Sequence, residues 1–97
     1  MLLFVEFDIN ADIIDVPQSV IDNRENLSRC FLKWLFSPEV KPKYTVTFHG
    51  HRGVCFRSEA FVHFLNEKVL MNSEQKAVII EQEIPRENKQ NLPSVFF

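Results

Sequence analysis

Hydrophobic and polar residues alternate along four short stretches of the chain, the pattern typical of β-strands with one buried face. These stretches are residues 2–9, 44–48, 54–57 and 77–84. In the last of them, Val78 and Ile80 are expected to face the core. A further apolar stretch, residues 13–16, is ambiguous, because it fits a short strand, a loop packed on the core or the approach to a helix. Residues 10–12 are interpreted as the break after the first strand.

Two longer stretches repeat apolar residues at intervals of three and four, as amphipathic helices do. The first helix is expected to begin at Asp22, which has capping-box spacing with Glu25. An earlier start at Pro17 remains open, and Pro38 ends the helix. Its buried stripe consists of Leu27, Cys30, Phe31, Trp34 and Leu35. The second helix begins at Ser58, a good N-cap residue, and its stripe consists of Phe61, Phe64, Leu65 and Val69.

The segment YTVTFHGHRGVCF, residues 44–56, predicts a β-hairpin around which the other elements are arranged. It contains both glycines of the chain. Glycine adopts the positive φ angles of tight hairpin turns without steric cost, so the turn is expected between the two glycine positions.

The predicted order of elements is β-α-β-β-α-β, which is the order of the ferredoxin-like fold. We therefore expect an α+β two-layer sandwich, with a four-stranded antiparallel sheet and two helices on one face. The other face would be polar and exposed to solvent, with Glu6, Asp8, Thr45, Thr47, His49, Cys55, Arg57, Glu81 and Glu83 on it. Residues 1–85 would form this single domain. Residues 86–97 would form a C-terminal tail that docks because residues 95–97 are apolar.

Composition adds the expectation of one domain with a single core. The chain has 97 residues, of which 45% are hydrophobic and 25% charged, as in an ordinary globular protein. Ten phenylalanines against one tyrosine indicate an aromatic core. Two cysteines do not make a disulfide framework, and the first residues lack the pattern of a signal peptide or a membrane span. A cytoplasmic location is therefore expected.

Charge is unevenly distributed along the chain. Residues 1–26 carry six acidic residues and one arginine, whereas residues 27–57 carry six basic residues and one glutamate. The net charge is only −2. Such a partition concerns the electrostatic field and the binding partners rather than the fold.

Two histidines of the predicted hairpin are the strongest candidates for chemistry. His49 and His51 could bind a metal with a third ligand such as His63 or Cys55, but no further ligand lies at a diagnostic spacing. With Lys43 and Arg52, the same histidines could cleave RNA by acid–base catalysis. Any basic hairpin with two histidines would look the same, so we assign no metal, cofactor or catalytic residue and favour a non-enzymatic protein.

Asp8 lies at the end of the predicted first strand, in the stretch FVEFDI. This stretch resembles the small CRISPR-associated ferredoxin-like nuclease subunit that accompanies the spacer integrase, which carries an aspartate at the matching point. The resemblance implies that Asp8 is a Mg²⁺ ligand in a symmetric dimer. It covers only this stretch, and after Asp8 the chain departs from the basic pattern of the family with three further aspartates.

A binding role is the function that the sequence favours most. As a class, the chain resembles small inhibitor, antitoxin or immunity proteins that cover the active site of a toxin or nuclease, which implies an acidic surface facing a basic cleft. The predicted acidic surface consists of Asp8, Asp12, Asp15 and Asp22. The alternative is a nucleic-acid-binding protein or a metal- or histidine-dependent ribonuclease, with a basic surface of Lys43, His49, His51, Arg52 and Arg57. Self-association through a sheet edge or the Phe96-Phe97 tail fits the same sequence.

Overall fold

The computed structural model describes residues 1–7, 10–44, 47–48, 54–85 and 92–95. Six strands lie within these residues: β1 (Leu2–Phe7), β2 (Asn10–Asp15), β3 (Thr47–Phe48), β4 (Val54–Cys55), β5 (Val78–Pro85) and β6 (Ser94–Val95). The α-helices are α1 (Gln18–Asp22), α2 (Arg24–Leu35) and α3 (Ser58–Phe64). A 3₁₀ turn covers Lys41–Lys43, and a π-helical turn, Leu65–Val69, continues α3.

An antiparallel hairpin of β1 and β2 occupies the centre of the main sheet. Its register runs without interruption from Leu2 opposite Asp15 to Phe7 opposite Asn10. Residues 10–12, predicted as a break, and the ambiguous residues 13–16 thus belong mainly to one strand. This pairing buries apolar side chains of both strands together, which favours the hairpin over an isolated first strand.

The main sheet is mixed rather than antiparallel throughout. Its strand order is β5-β2-β1-β6, and β6 runs parallel to β1 while the other pairs are antiparallel. Among the described residues, β3 and β4 form a separate two-stranded sheet. The α+β class is therefore confirmed, but these strands do not form the ferredoxin-like order. The physical reason is that β2 lies beside β1 in the centre of the sheet, a position that the ferredoxin-like order assigns to a strand later in the chain.

The helices cover one face of this sheet. Leu3 and Ile14 face each other in the hairpin, and both belong to the same fully buried cluster as Phe31, Phe61 and Leu65. Leu27 and Trp34 pack partly buried against that cluster. The predicted apolar stripes of the two helices therefore share one interior, with the exception of Cys30, which is exposed.

The opposite face of the central hairpin has a buried apolar centre, whereas the sequence predicted a polar face exposed to solvent. Phe4 lies directly opposite Ile13, and both are buried together with Ala11. Leu92 packs against them from the segment that leads into β6. Since buried apolar residues lie on both faces at the centre of the hairpin, it is covered on two sides and not only under the helices.

The side chains at the start of β5 point the other way from the prediction. Val78 and Ile80 are 57% and 54% exposed, whereas Ile79 packs against the main core. Ile79 is the residue that pairs with Ile14. The prediction was wrong because a run of three apolar residues, positions 78–80, gives no alternation from which to decide the inward face.

The predicted first helix is two helices that meet at Asn23. Asp22 ends α1, where it accepts a hydrogen bond from Gln18 Nε2 at 2.9 Å, instead of capping the longer helix. Asn23 is the N-cap of α2 and makes no side-chain capping bond. The capping-box prediction was therefore wrong.

None of the helices in the described part of the chain has the length and the apolar character of a membrane-spanning segment.

Phe31 is the centre of the aromatic core. Its ring lies 4.8 Å from that of Phe56, 5.1 Å from Phe61 and 5.6 Å from Phe64, between ring centroids. The side chain is completely buried. One residue of α2 thus contacts α3 and the segment that follows β4, so it connects the hairpin region to the helical layer.

Replacing Phe31 by alanine should therefore lower the free energy of unfolding by about 3–5 kcal/mol, because a large cavity replaces several ring contacts. Chemical denaturation monitored by circular dichroism measures this change. The control is Met71→Ala, at an exposed position, which should stay within about 0.5 kcal/mol of the wild type. Equal small effects of both substitutions would contradict this role of Phe31.

Candidate functional site

The four aspartates of the predicted acidic surface have different environments. Asp8 lies outside the described residues. Asp12 is only 4% exposed and lies opposite Val5 in the central hairpin, so it does not contribute to an exposed surface in this structure. Asp15 and Asp22 are both exposed.

Asp15 is the last residue of β2, and Asp22 is the last residue of α1, the helix that follows. Gln18 joins them, because it lines a cavity together with Asp15 and donates a hydrogen bond to Asp22. Glu25, which is also exposed, borders a hollow of about 300 Å³ together with Asp22. We call Asp15, Asp22 and Glu25 the acidic ridge.

Cationic groups lie next to the acidic ridge: Lys76 lines the same cavity as Asp15, and Arg24 borders the same hollow as the other two residues of the ridge. The amino group of Met1 lies 2.8 Å from Asp15 Oδ1, and both groups are more than half exposed. Arg24 directs its Nη1 atom to the carbonyl of Ile21 at 2.8 Å. An exposed ion pair is weak and screened by salt, so Asp15 remains available to a stronger cationic partner.

The predicted basic surface is described only at its ends. His49, His51 and Arg52 lie outside the described residues. Lys43 is exposed. Arg57 is exposed too, and its Nε atom lies 3.6 Å from Glu59 Oε1. The basic surface as a whole therefore stays a prediction.

A hydrogen-bonded cluster that the sequence analysis did not predict lies beside these residues. Tyr44 Oη bonds to His63 Nδ1, and His63 Nε2 lies 2.7 Å from Glu67 Oε1. In the neutral imidazole whose Nε2–H donates a hydrogen bond to the Glu67 carboxylate, Nδ1 accepts the hydrogen bond of the Tyr44 hydroxyl. We call these three residues the tyrosine cluster.

Helical geometry and ring packing together position the tyrosine cluster. His63 lies near the end of α3 and Glu67 lies one turn later in the π-helical turn, so the two side chains meet at a spacing of four residues. The Tyr44 ring packs 5.9 Å from the ring of Trp34, which in turn lies 5.5 Å from Phe64. Ring contacts with the aromatic core therefore fix the position of Tyr44.

Hydrogen bonds also fix the end of the π-helical turn. The Asn66 side chain accepts a bond from the N–H of Ala77 at 2.8 Å and donates one to its carbonyl at 3.1 Å. Lys76 Nζ donates to the carbonyl of Leu70 at 2.7 Å. These bonds tie the residues before β5 to the helix that carries His63 and Glu67.

The tyrosine cluster has the order of a nucleophile, a base and a residue that orients the base. Its electrostatics oppose that chemistry, since burial, Glu67 and Glu59 all raise the pKa of Tyr44. A phenol that is harder to ionise is a weaker nucleophile, and two nearby carboxylates repel a phosphate. The cluster is therefore better suited to link the segment after α2 to α3 than to attack a substrate.

The cluster is not a metal site. The oxygen atoms of Tyr44 and Glu67 bond to opposite ring nitrogens of His63, so they do not converge on one point where a metal could lie. In the part of the chain that the structure describes, no group of three or more potential metal ligands occurs.

Sequence reasoning could have found one half of this cluster. His63 and Glu67 are separated by four residues in a predicted helix, which is a recognisable pairing. The contact with Tyr44 depends on how α3 packs against the chain after α2, and no local pattern in the sequence predicts that packing.

Comparison with protein-family models, with curated proteins and with solved structures found no match.

The raised pKa of Tyr44 can be measured directly, because it is the only tyrosine of the chain. In the folded protein, the absorbance of the tyrosinate should appear with a midpoint above the ordinary value of about 10. In denaturant the midpoint should return to about 10. Since the folded pKa is the higher one, the stability contribution is complete below pH 10 and is lost as the pH rises through the folded pKa.

A matched pair of substitutions tests the cause of this shift. Glu67→Gln should lower the folded midpoint, because it removes one of the charges that raise the pKa of Tyr44. Glu74→Gln, at another exposed glutamate, should leave the midpoint unchanged. A folded midpoint equal to that in denaturant would show that the Tyr44 hydroxyl lies free in solvent.

Proposed function

We propose that this protein is a non-enzymatic protein-binding module of the inhibitor or immunity type. In this proposal, the acidic ridge covers the basic active site of a toxin or nuclease. The observation that supports it is the exposure of Asp15, Asp22 and Glu25, with Gln18 lining a cavity beside Asp15 and bonded to Asp22. The proposed surface differs from that expected from the sequence, since Asp12 is buried and Glu25 is added.

Apolar surface beside the acidic ridge supports the same proposal. In the sheet, Asp15 pairs with Leu2 on one side and Val78 on the other, and both of these side chains are exposed. Ile80 extends the exposed apolar surface along β5. Protein interfaces combine an apolar centre with a polar or charged rim, which is what a partner would meet here.

The acidic ridge would act mainly through long-range attraction and orientation. Complementary charges raise the rate of association and reject wrongly charged partners, while the net affinity comes largely from buried contacts. The expected partner therefore presents a basic cleft with an apolar edge. Binding should weaken as salt screens the ridge.

The alternative of a nucleic-acid-binding protein or ribonuclease has one observation in its favour, the oriented His63 of the tyrosine cluster. The carboxylates of Glu59 and Glu67 near Tyr44 count against it, because they repel phosphate. A nucleic-acid-binding protein or ribonuclease is therefore the second candidate function.

Charge reversal tests the proposed surface. The partner captured by the immobilised protein is purified, and its Kd is measured at low and high salt for the wild type and for the double variant Asp15→Lys, Asp22→Lys. The variant should bind at least about tenfold more weakly at low salt, because two attractive contacts become repulsive. The difference should shrink at high salt.

Glu39→Lys is the matched control, since Glu39 is exposed and lies beyond the other end of α2 from Asp22. It should leave the Kd nearly unchanged. An affinity equal in all three proteins would eliminate the acidic ridge as the binding surface. RNA binding that depends steeply on salt and is lost after changing His49, His51 and Arg52 to alanine would favour the second candidate.

A further inference from the structure

A cleft of about 500 Å³ lies between α2 and the segment that contains β6. Its apolar lining comes from Leu32 on the helix and from Leu92 and Val95 on the opposite side. Arg24, Ser28 and Arg29 of α2 line it as well, together with Glu25. A volume of this size is within the usual range for ligand sites, which is about 300–1,000 Å³.

One wall of the cleft is the edge of the main sheet. Among the described strands, β6 pairs only with β1. The N–H of Phe4 donates to the carbonyl of Pro93 at 2.9 Å, and Phe4 pairs with Ser94 in the parallel ladder. In this geometry the N–H and C=O of Ser94 point away from β1, where a further strand could bond to them.

The other wall of the cleft carries two guanidinium groups. Arg24 is oriented by its hydrogen bond to the carbonyl of Ile21, and the Ser28 hydroxyl donates to the carbonyl of Arg24 at 2.7 Å. Arg29 is exposed on the next turn. Guanidinium groups bind carboxylates strongly because they offer paired N–H donors in a fixed plane.

We propose that this cleft binds an extended, acidic peptide segment of a protein partner. The peptide adds as a short strand to the edge of β6, and its carboxylates bind Arg24 and Arg29. Its apolar side chains lie on Leu32 and Leu92, which are half-buried apolar residues of the lining. An edge strand beside a helix gives affinity through backbone bonds and specificity through the side chains of the helix.

The cleft adjoins the acidic ridge, since Glu25 lines both, but the two sites attract partners of opposite charge. The acidic ridge attracts a basic partner, whereas the cleft attracts an acidic one. Arg29 is not part of the ridge, and Asp15 and Asp22 do not line the cleft. The two proposals can therefore fail separately.

Fluorescence anisotropy with synthetic peptides tests the cleft. One labelled peptide alternates valine and glutamate, a second alternates valine and lysine, and a third is the glutamate peptide with an amidated C-terminus. The glutamate peptide should bind at least about tenfold more tightly than the lysine peptide. Equal binding of the amidated form assigns the contact to side-chain carboxylates, and its weaker binding assigns it to the terminal carboxylate; either result supports a carboxylate site.

Arg29→Glu should weaken binding of the glutamate peptide at least about tenfold, because it replaces attraction by repulsion. Lys33→Glu is the matched control: it makes the same change of charge on an exposed position of α2 that does not line the cleft. It should change the affinity less than about twofold. In nuclear magnetic resonance spectra, the Ser94 amide should shift on peptide addition.

Three results would overturn the proposal: equal binding of the glutamate and lysine peptides, equal losses for Arg29→Glu and Lys33→Glu, or an unshifted Ser94 amide at saturation. The double variant Asp15→Lys, Asp22→Lys should bind the glutamate peptide at least as well as the wild type. Circular dichroism of Arg29→Glu should match the wild type, since Arg29 is exposed.

Discussion

The burial of the β1–β2 hairpin on both faces is the constraint on which the rest of the structure depends. Leu3 and Ile14 face the helices, while Phe4 and Ile13 are buried on the other side. A hairpin that is apolar on both sides needs a cover on each, and it must lie in the middle of its sheet. The helices supply one cover and the segment around Leu92 contributes to the other, while β5 and β6 take the edges.

This central hairpin also determines where charges can lie. Its interior positions exclude exposed acidic groups, so Asp12 is removed from any surface while Asp15, at the end of β2, stays exposed. The acidic ridge follows α1 from that point, and the basic side of α2 faces the cleft beside β6. The two surfaces meet at the start of α2, where Arg24 and Glu25 border both the hollow beside Asp22 and the cleft beside β6.

Regular patterns in the sequence predicted the parts of the fold that depend on local periodicity. The stripes containing Phe31 and Phe61 mark the buried faces of α2 and α3, because helical spacing alone decides which side is apolar. The sequence did not reveal the pairing of β1 with β2 or the inward side chain of Ile79, since both depend on partners distant in the chain. Two of the three residues of the acidic ridge, Asp15 and Asp22, belong to the surface predicted from the sequence. The tyrosine cluster and the cleft were not, because they join residues of separate elements.

Native-state hydrogen exchange tests the central position of the β1–β2 hairpin most directly. If the helical layer and both edge strands pack on it, the hydrogen-bonded amides of β1 and β2 can exchange only when the whole molecule unfolds, so they should be the slowest of the chain. Their opening free energy should equal the free energy of global unfolding. Slower exchange in Thr47–Phe48 and Val54–Cys55 than in β1 and β2 would contradict this account, because it would place the stable centre in the other hairpin.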